Sequence, residues 1–346
     1  MTETTAADDR TPRSRWNHLP ATMPIRHAPF CEWPIRPLES IVYIIKSWMP
    51  NADRFWYLMA AIVIWTFFTP SLDRAVTFQF DWMFEIWLRN VIMVGTICGA
   101  MHLWLHGFNM QGNDTRFDGR PLMRKSKVFH FNNQVLDNMF WTLASSVPVG
   151  TLYECLMWWA FANGHATMIS LSDNPVWFVV LMMLVPVWGG FHFYWFHRLL
   201  HVEPFYRWWH SWHHKNINIG PWSGHAMHPV EHIGLYTDCL VYFVIPAHPV
   251  HVLMQMMLHT LGGPISHCGY ENIKVGKISV RVGDFFHQLH HRFFDCNYGS
   301  LESPWDKLFN SFHDGTPAGD VLIAERRRQL HKNRKDNPSP ETQPSV

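Results

Sequence analysis

Sixteen of the chain's 24 histidines lie between His192 and His291, and eight of these fall into three spaced groups: His197-Arg-Leu-Leu-His201, His210-Ser-Trp-His213-His214 and His287-Gln-Leu-His290-His291. Imidazole is a good ligand for iron, zinc, copper and nickel. Eight or more neutral nitrogens exceed what a single HxxH can offer and suit a pair of octahedral ions with positions left open for oxygen and substrate. A solitary histidine is ordinarily a hydrogen-bonded side chain, but three such groups together mark a site.

Helices must position these residues. Side chains three and four apart stack on one helical face, so each group projects its imidazoles within an arc of about 100°, and three short helical pieces could enclose one pocket. The neighbours in His213-His214 and in His290-His291 diverge by about 100°, which lets each serve a different ion. His192 precedes His197 by five and is turned about 140° away, so it should not share the pocket.

Read in order, the motifs are His197 to His201, His210 to His214, His228-Pro-Val-Glu231, His267-Cys-Gly-Tyr-Glu271, His287 to His291, and Asn297-Tyr-Gly299 followed by Trp305-Asp306. This series resembles the fatty acid hydroxylase/sterol desaturase superfamily, over roughly residues 175 to 310. The resemblance implies an integral membrane oxygenase with two non-haem irons and O2 as co-substrate. It adds His228 and His267 to the eight ligands read from spacing, with His259, eight residues before His267, as a further candidate. Glu231 and Asp284 are expected to orient imidazole N–H groups, and Asn297, Tyr298, Trp305 and Asp306 to hold the fold of the cap. One departure stands out: Lys307-Leu-Phe-Asn-Ser-Phe312 follows Trp305-Asp306 where Leu-Phe-Gly-Thr is usual in the family, which puts the local turn in question.

Composition agrees with a membrane protein. The chain is 48% hydrophobic, 15% aromatic and only 16% charged, and its 19 tryptophans suit two membrane interfaces. A net charge of +1 gives no basic field for nucleic acid. The six cysteines form no CxxC or disulfide framework and are read as reduced thiols; Cys268 is of interest because it adjoins His267.

Along the chain, residues 1–50 read as a cytosolic leader: a polar, disordered start to about residue 15, then a proline-broken stretch in which only Leu38 to Trp48 can form a helix lying on the membrane surface. Residues 51–174 hold apolar spans at Phe55 to Thr69, Met83 to Leu105 and Asn138 to Phe161, with a basic loop over 107–137. Glu85 and Arg89, four apart, are expected to pair. His102 and His106 are read as interfacial histidines rather than ligands, and Glu154 as lining a channel or bonding a neighbouring helix. The catalytic region, 175–315, opens with a fourth span, Pro175 to Phe196, and includes a loop at Lys215 to Gly224. The apolar run His232 to Leu261 is broken by Pro246 and Pro249 and is expected to form a hairpin that re-enters and returns. Residues 316–346 form a polar tail, a short helix followed by disorder.

The expected fold is thus an all-α integral membrane protein of about four transmembrane helices, a re-entrant or interfacial hairpin and a histidine-rich cytosolic cap. The basic leader and loop place the N-terminus and the metal site in the cytosol, of a bacterial inner membrane or, in a eukaryote, of the endoplasmic reticulum. The expected activity is hydroxylation of a lipid C–H bond, on an acyl chain, sphingolipid, aminolipid or sterol. Sterol or lipid desaturation, or sterol C4-methyl oxidation, is the alternative. With no haem segment fused at either end, electrons are expected from a ferredoxin or from cytochrome b5 with its reductase. A zinc-dependent membrane hydrolase is a second alternative, disfavoured because there is no HExxH and the histidines exceed the three that a catalytic zinc needs.

Overall fold

The computed structural model describes residues 16–336; the expected disordered start, and the end of the tail from residue 337, lie outside the described residues. Helices dominate. They run α1 Pro37–Ser47, α2 Asp53–Phe67, α3 Phe80–His102, α4 Gln134–Trp141, α5 Val147–Ala162, α6 Pro175–Leu200, α7 Ser211–His214, α8 Pro229–Leu235, α9 Pro249–Thr260, α10 Gly262–Ser266, α11 Phe285–Phe293, α12 Trp305–Leu308 and α13 Pro317–Asp336. Single π-helical turns extend α3 through Gly107, join α4 to α5 and lead into α7.

One element corrects the all-α expectation. Asn272–Val275 (β1) and Ile278–Arg281 (β2) pair antiparallel, with Val275 opposite Ile278. Gly276 sits at φ 59°, the left-handed backbone that a tight hairpin turn needs and that glycine adopts without a Cβ clash. Alternating β-branched residues around a Gly-Lys turn carry this signal in the sequence.

Two helices are long and apolar enough to cross a bilayer: Phe80–Gly107 and Pro175–Leu200. At 1.5 Å per residue the second reaches about 39 Å, against a hydrocarbon core of about 30 Å. Only 28% and 22% of their apolar windows are buried against the rest of the chain. Val176, Val179, Val187 and Phe191 on α6, and Leu88, Ile92 and Leu103 on the other, face outward. A core helix would bury such residues; lipid-facing ones belong to a membrane protein. By contrast α2, with 15 residues, reaches only about 22 Å, and the run from α4 into α5 carries Asp137 and Glu154.

These helices surround α9, which is buried along nearly its whole length and packs against α2, α5 and α6. Trp82, Ile86, Met157, Trp158, Leu253 and Met254 fill the space between them. Pro246 and Pro249 break the apolar run as expected, leaving a 3-10 segment Tyr236–Phe243 that folds back on α9. Asp238 is bonded by Gln255 and His259, while the Tyr242 hydroxyl donates to the His251 carbonyl, so the two arms run antiparallel.

The expected Glu85–Arg89 pair does not form. Glu85 pairs instead with Arg74, at 2.8 Å, and Arg89 with Glu154 on α5. Asn90 also donates to Glu154, at 3.2 Å. A buried carboxylate gains more from an enclosed guanidinium than an exposed one does, and α3 faces α5 on the Arg89 side. Glu154 therefore bonds a neighbouring helix, and its second oxygen borders a small internal cavity.

Candidate metal centre

The C-terminal end of α6 supplies His197 and His201, one turn apart. The chain then reverses and delivers His210, His213 and His214 from a π-turn running into α7. His267 follows α10, and α11 presents His287, His290 and His291. Asp284 starts α11 as its N-cap, accepting from the Phe286 N–H at 2.9 Å. That role replaces the expected contact with an imidazole.

The nine histidines separate into two groups. His197, His201, His210, His214 and His290 form one, and His213, His267, His287 and His291 the other, with the facing ring nitrogens of each group all within 4.8 Å. The adjacent pairs divide as their 100° divergence requires: His213 and His291 face one group, His214 and His290 the other.

The spacing between the nitrogens is diagnostic. In the first group Nε2 atoms stand 3.0 Å apart for His197 and His210 and for His210 and His214, and 3.1 Å apart for His214 with His201 and with His290. In the second, His267 Nε2 is 3.1 Å from those of His287 and His291 and 3.3 Å from that of His213. Two ligands at right angles around one ion, each about 2.1 Å from it, lie about 3.0 Å apart.

Proton positions are constrained from behind. The His197 and His290 Nδ1–H groups donate to the carbonyls of Tyr298 and Cys296, both at 2.6 Å, and His267 Nδ1–H to the Gly263 carbonyl at 2.9 Å. His210 Nδ1–H donates to the Glu231 carboxylate at 2.7 Å, the role expected of Glu231. A neutral ring with its proton on Nδ1 presents a bare lone pair at Nε2. Converging lone pairs repel unless a cation lies between them, so this donor set fits metal ions.

Burial disfavours the charged form of seven of these rings. It holds His267 and His290 down to about 3. Burial first, then neighbouring imidazoles, places His201, His213, His214, His287 and His291 well below 6.5.

His228, the tenth expected ligand, is left out of both groups. It caps α8, its Nδ1 accepting from the Val230 N–H at 3.2 Å, and its ring packs edge-on against Trp212 at 4.5 Å. A histidine before Pro229 sits where an N-cap belongs. Five further histidines bond groups outside the site. His259 pairs with Asp238, His192 bonds Thr237 at 2.9 Å, and His106 bonds the Cys268 carbonyl at 3.2 Å. His225 bonds Ser146 and the Thr260 carbonyl, and His232 bonds Ser145. Cys268 is buried and donates to the Tyr270 carbonyl; burial pushes its thiol up to about 12, far from the thiolate that binds metal.

The cap behind the site matches expectation. Asp306 accepts from the N–H groups of Tyr298 and Gly299 and from Ser311, and Asn297 donates to the carbonyls of Phe286 and His313. Where the family's usual ending has glycine, Asn310 adopts φ 53°, a left-handed conformation that asparagine tolerates better than most residues. The carbonyls of Gly263, Cys296 and Tyr298 orient rings without any expectation from the motifs. Every residue carries a carbonyl, so no sequence signal distinguishes them.

Fold and site together define a helical protein with two helices long and apolar enough to cross a bilayer and two adjoining groups of histidines that could hold metal. Residues 178–311 match the family model described as fatty acid hydroxylase. The chain is 25% identical to a Delta(7)-sterol 5(6)-desaturase of Aspergillus fumigatus, over 65% of each chain. It is 29% identical to a probable Delta(7)-sterol 5(6)-desaturase of Neurospora crassa, over 84% of this chain and 89% of the relative. To the lathosterol oxidase of Mus musculus it is 28% identical, over 52% of this chain and 62% of the relative. The match thus spans just under two thirds of the Aspergillus protein's own length. No solved structure matches the chain significantly. The histidine-bearing region is thus similar to the fatty acid hydroxylase family over residues 178–311, and the chain is similar to sterol desaturases over the spans given.

Proposed function

We propose that this protein is a multi-pass membrane di-iron oxidoreductase that uses O2 to oxidise a C–H bond of a lipid, with hydroxylation as the reaction. The carrying observation is the pair of adjoining histidine groups, five and four strong, with facing nitrogens at cis-ligand spacing. His197, His201, His210, His214 and His290 would hold one iron, and His213, His267, His287 and His291 the other. Iron is favoured over zinc because nine imidazoles exceed the three protein ligands that a catalytic zinc uses.

When bound, the metal pair supplies the oxidising power to break an unactivated C–H bond with O2. Hydroxylation consumes one O2, two electrons and two protons and yields alcohol and water; desaturation consumes the same reactants and yields an alkene and two waters. Electrons come from a ferredoxin or from cytochrome b5 with its reductase. The chain's own contribution is to hold the imidazoles neutral by burial, to aim their lone pairs through carbonyl and Glu231 contacts, and to place the site where α6 ends. A lipid in the bilayer then reaches the site along an apolar wall. The cytosolic side is the proposed location, from the basic leader and the 107–137 loop.

Desaturation is the second reading, favoured by the printed activities of the sterol desaturase relatives. Lipid mass spectrometry of cells with and without the protein, under 18O2, tests both. A product heavier by one labelled oxygen supports hydroxylation; loss of two hydrogens without label supports desaturation. No lipid change in cells whose purified protein holds iron and is supplied with reductant would overturn the substrate class.

A further inference from the structure

A second cavity, of about 530 Å³, has none of the nine histidines on its wall and lies between the N-terminal segment Pro20 to Ala28, Tyr43 of α1, Arg281 at the end of β2 and the first turn of α11. Its volume falls in the range of ligand sites. Phe285, Phe286 and Leu301 give it an apolar wall. His27, also on the wall, is 4% exposed, and neither of its ring nitrogens has a hydrogen-bond partner. Buried polar atoms are rarely left so, and a whole unpartnered imidazole points to an absent ligand.

The other polar groups on the wall set the sign of that ligand. Arg26 and Arg281, both exposed, line the cavity, and among the described residues neither side chain forms a hydrogen bond or an ion pair. Asp284 is the one carboxylate on the wall; its Oδ1 caps α11, and of the two guanidiniums Arg281 is near enough to act on its charge, which leaves two cations facing one carboxylate. Tyr43 is also committed, donating to Glu302 at 3.0 Å. Two guanidiniums and an imidazole therefore remain to donate, and what they match is an anion.

The surroundings supply the rest. α1 exposes Leu38, Ile41 and Ile45, and the hairpin exposes Val275, Ile278 and Val280. Two outward apolar elements thus flank the cavity, as expected for an entrance at a membrane surface.

We propose that this cavity binds an amphiphile with a single anionic head, carboxylate or phosphate, held by Arg26, Arg281 and His27, with its apolar body along Phe285, Phe286 and Leu301. Because Phe286 immediately precedes His287, the occupant rests on the helix that carries three of the nine histidines. The inference goes beyond the oxidation reading, because binding is measured without turnover.

The test is photolabelling of the full-length, metal-loaded protein in phosphatidylcholine nanodiscs, without reductant, by palmitic acid carrying a mid-chain diazirine. Label is expected in peptides covering 20–28 and 285–301. Palmitic acid or lysophosphatidic acid should displace it at about a tenfold lower concentration than methyl palmitate does. Whichever acid displaces at the lower concentration identifies the head as carboxylate or phosphate. The Arg26→Gln/Arg281→Gln double variant should lose about tenfold in labelling while keeping its metal. Should that variant fail to fold, Thr22→Trp, which fills the cavity from an exposed position, should abolish labelling. Label elsewhere, equal displacement by the methyl ester, or labelling that persists in either folded variant would overturn the proposal. Labelling as expected, with no lipid oxidised once reductant is supplied, would leave the cavity standing and remove the oxidation reading.

Discussion

At the scale of single residues, the site depends on which nitrogen of each imidazole carries the proton. Glu231 fixes this for His210, so Glu231→Ala leaves a buried N–H unpaired and should weaken metal binding by about 10–100-fold, whereas Glu231→Gln keeps an acceptor and should cost less. Metal titration of the two purified variants, followed by mass spectrometry of bound metal, checks the order. His290 and His228 give a sharper contrast. His290→Ala removes a nitrogen that stands 3.1 Å from His214 Nε2, and should lower the metal content and abolish activity. His228→Ala removes only a helix cap; the metal content should stay at the wild-type level, with a stability loss of about 1 kcal/mol.

Elements matter because the carbonyls that orient the rings belong to segments packed at close range. Gly224, in the short helix Pro221–His225, lies against the backbone of Gly263, whose carbonyl receives the His267 proton. A Cβ at position 224 would press on that carbonyl, with rigid backbone on both sides. Gly224→Ala should therefore disturb the four-histidine group and spare the five-histidine group, so that one of two metals is lost. Metal-to-protein stoichiometry decides it, and an unchanged ratio would show that the contact can relax. Asp306 performs the equivalent task for the first group by holding Tyr298, whose carbonyl receives the His197 proton. Asp306→Ala strands two backbone N–H groups, leaves the Ser311 hydroxyl only its longer bond to the residue 306 carbonyl, and should destabilise the fold by roughly 2–4 kcal/mol, seen as a lower thermal unfolding midpoint in detergent.

The molecule as a whole holds an unusual number of buried neutral histidines, and this makes its stability depend on pH. Burial holds His225 at about 4 and His232 at about 3. Their ordinary value of 6.5 applies in the unfolded chain, so the unfolded state takes up protons as pH falls below about 6.5 while the folded state does not. Stability is complete above that pH and is lost on acidification down to the folded values. By pH 5 the loss is about 2 kcal/mol for each such histidine. Thermal unfolding in detergent between pH 7.5 and 5 should show it, and His225→Gln should flatten the slope. A midpoint that does not move with pH would contradict the buried, neutral assignment. Chelation of the metals should also lower the midpoint, because nine converging lone pairs are then left without a cation.

Much of this is legible along the chain. Helical periodicity groups eight imidazoles, the 100° step between neighbours divides them between two centres, and Pro246 and Pro249 break the apolar run where the chain turns back. These are local properties, set by 3.6 residues per turn and by proline's missing N–H. Tertiary structure alone decided the partners. Whether Arg89 met Glu85, four residues away, or Glu154, 65 residues away, depended on which face of α3 lay against α5. Whether His228 bound metal or capped a helix depended on where Pro229 started α8. The carbonyls of Gly263, Cys296 and Tyr298, and the cavity around His27, come from segments distant in the chain. Packing alone brings them together, and no spacing along the sequence records it.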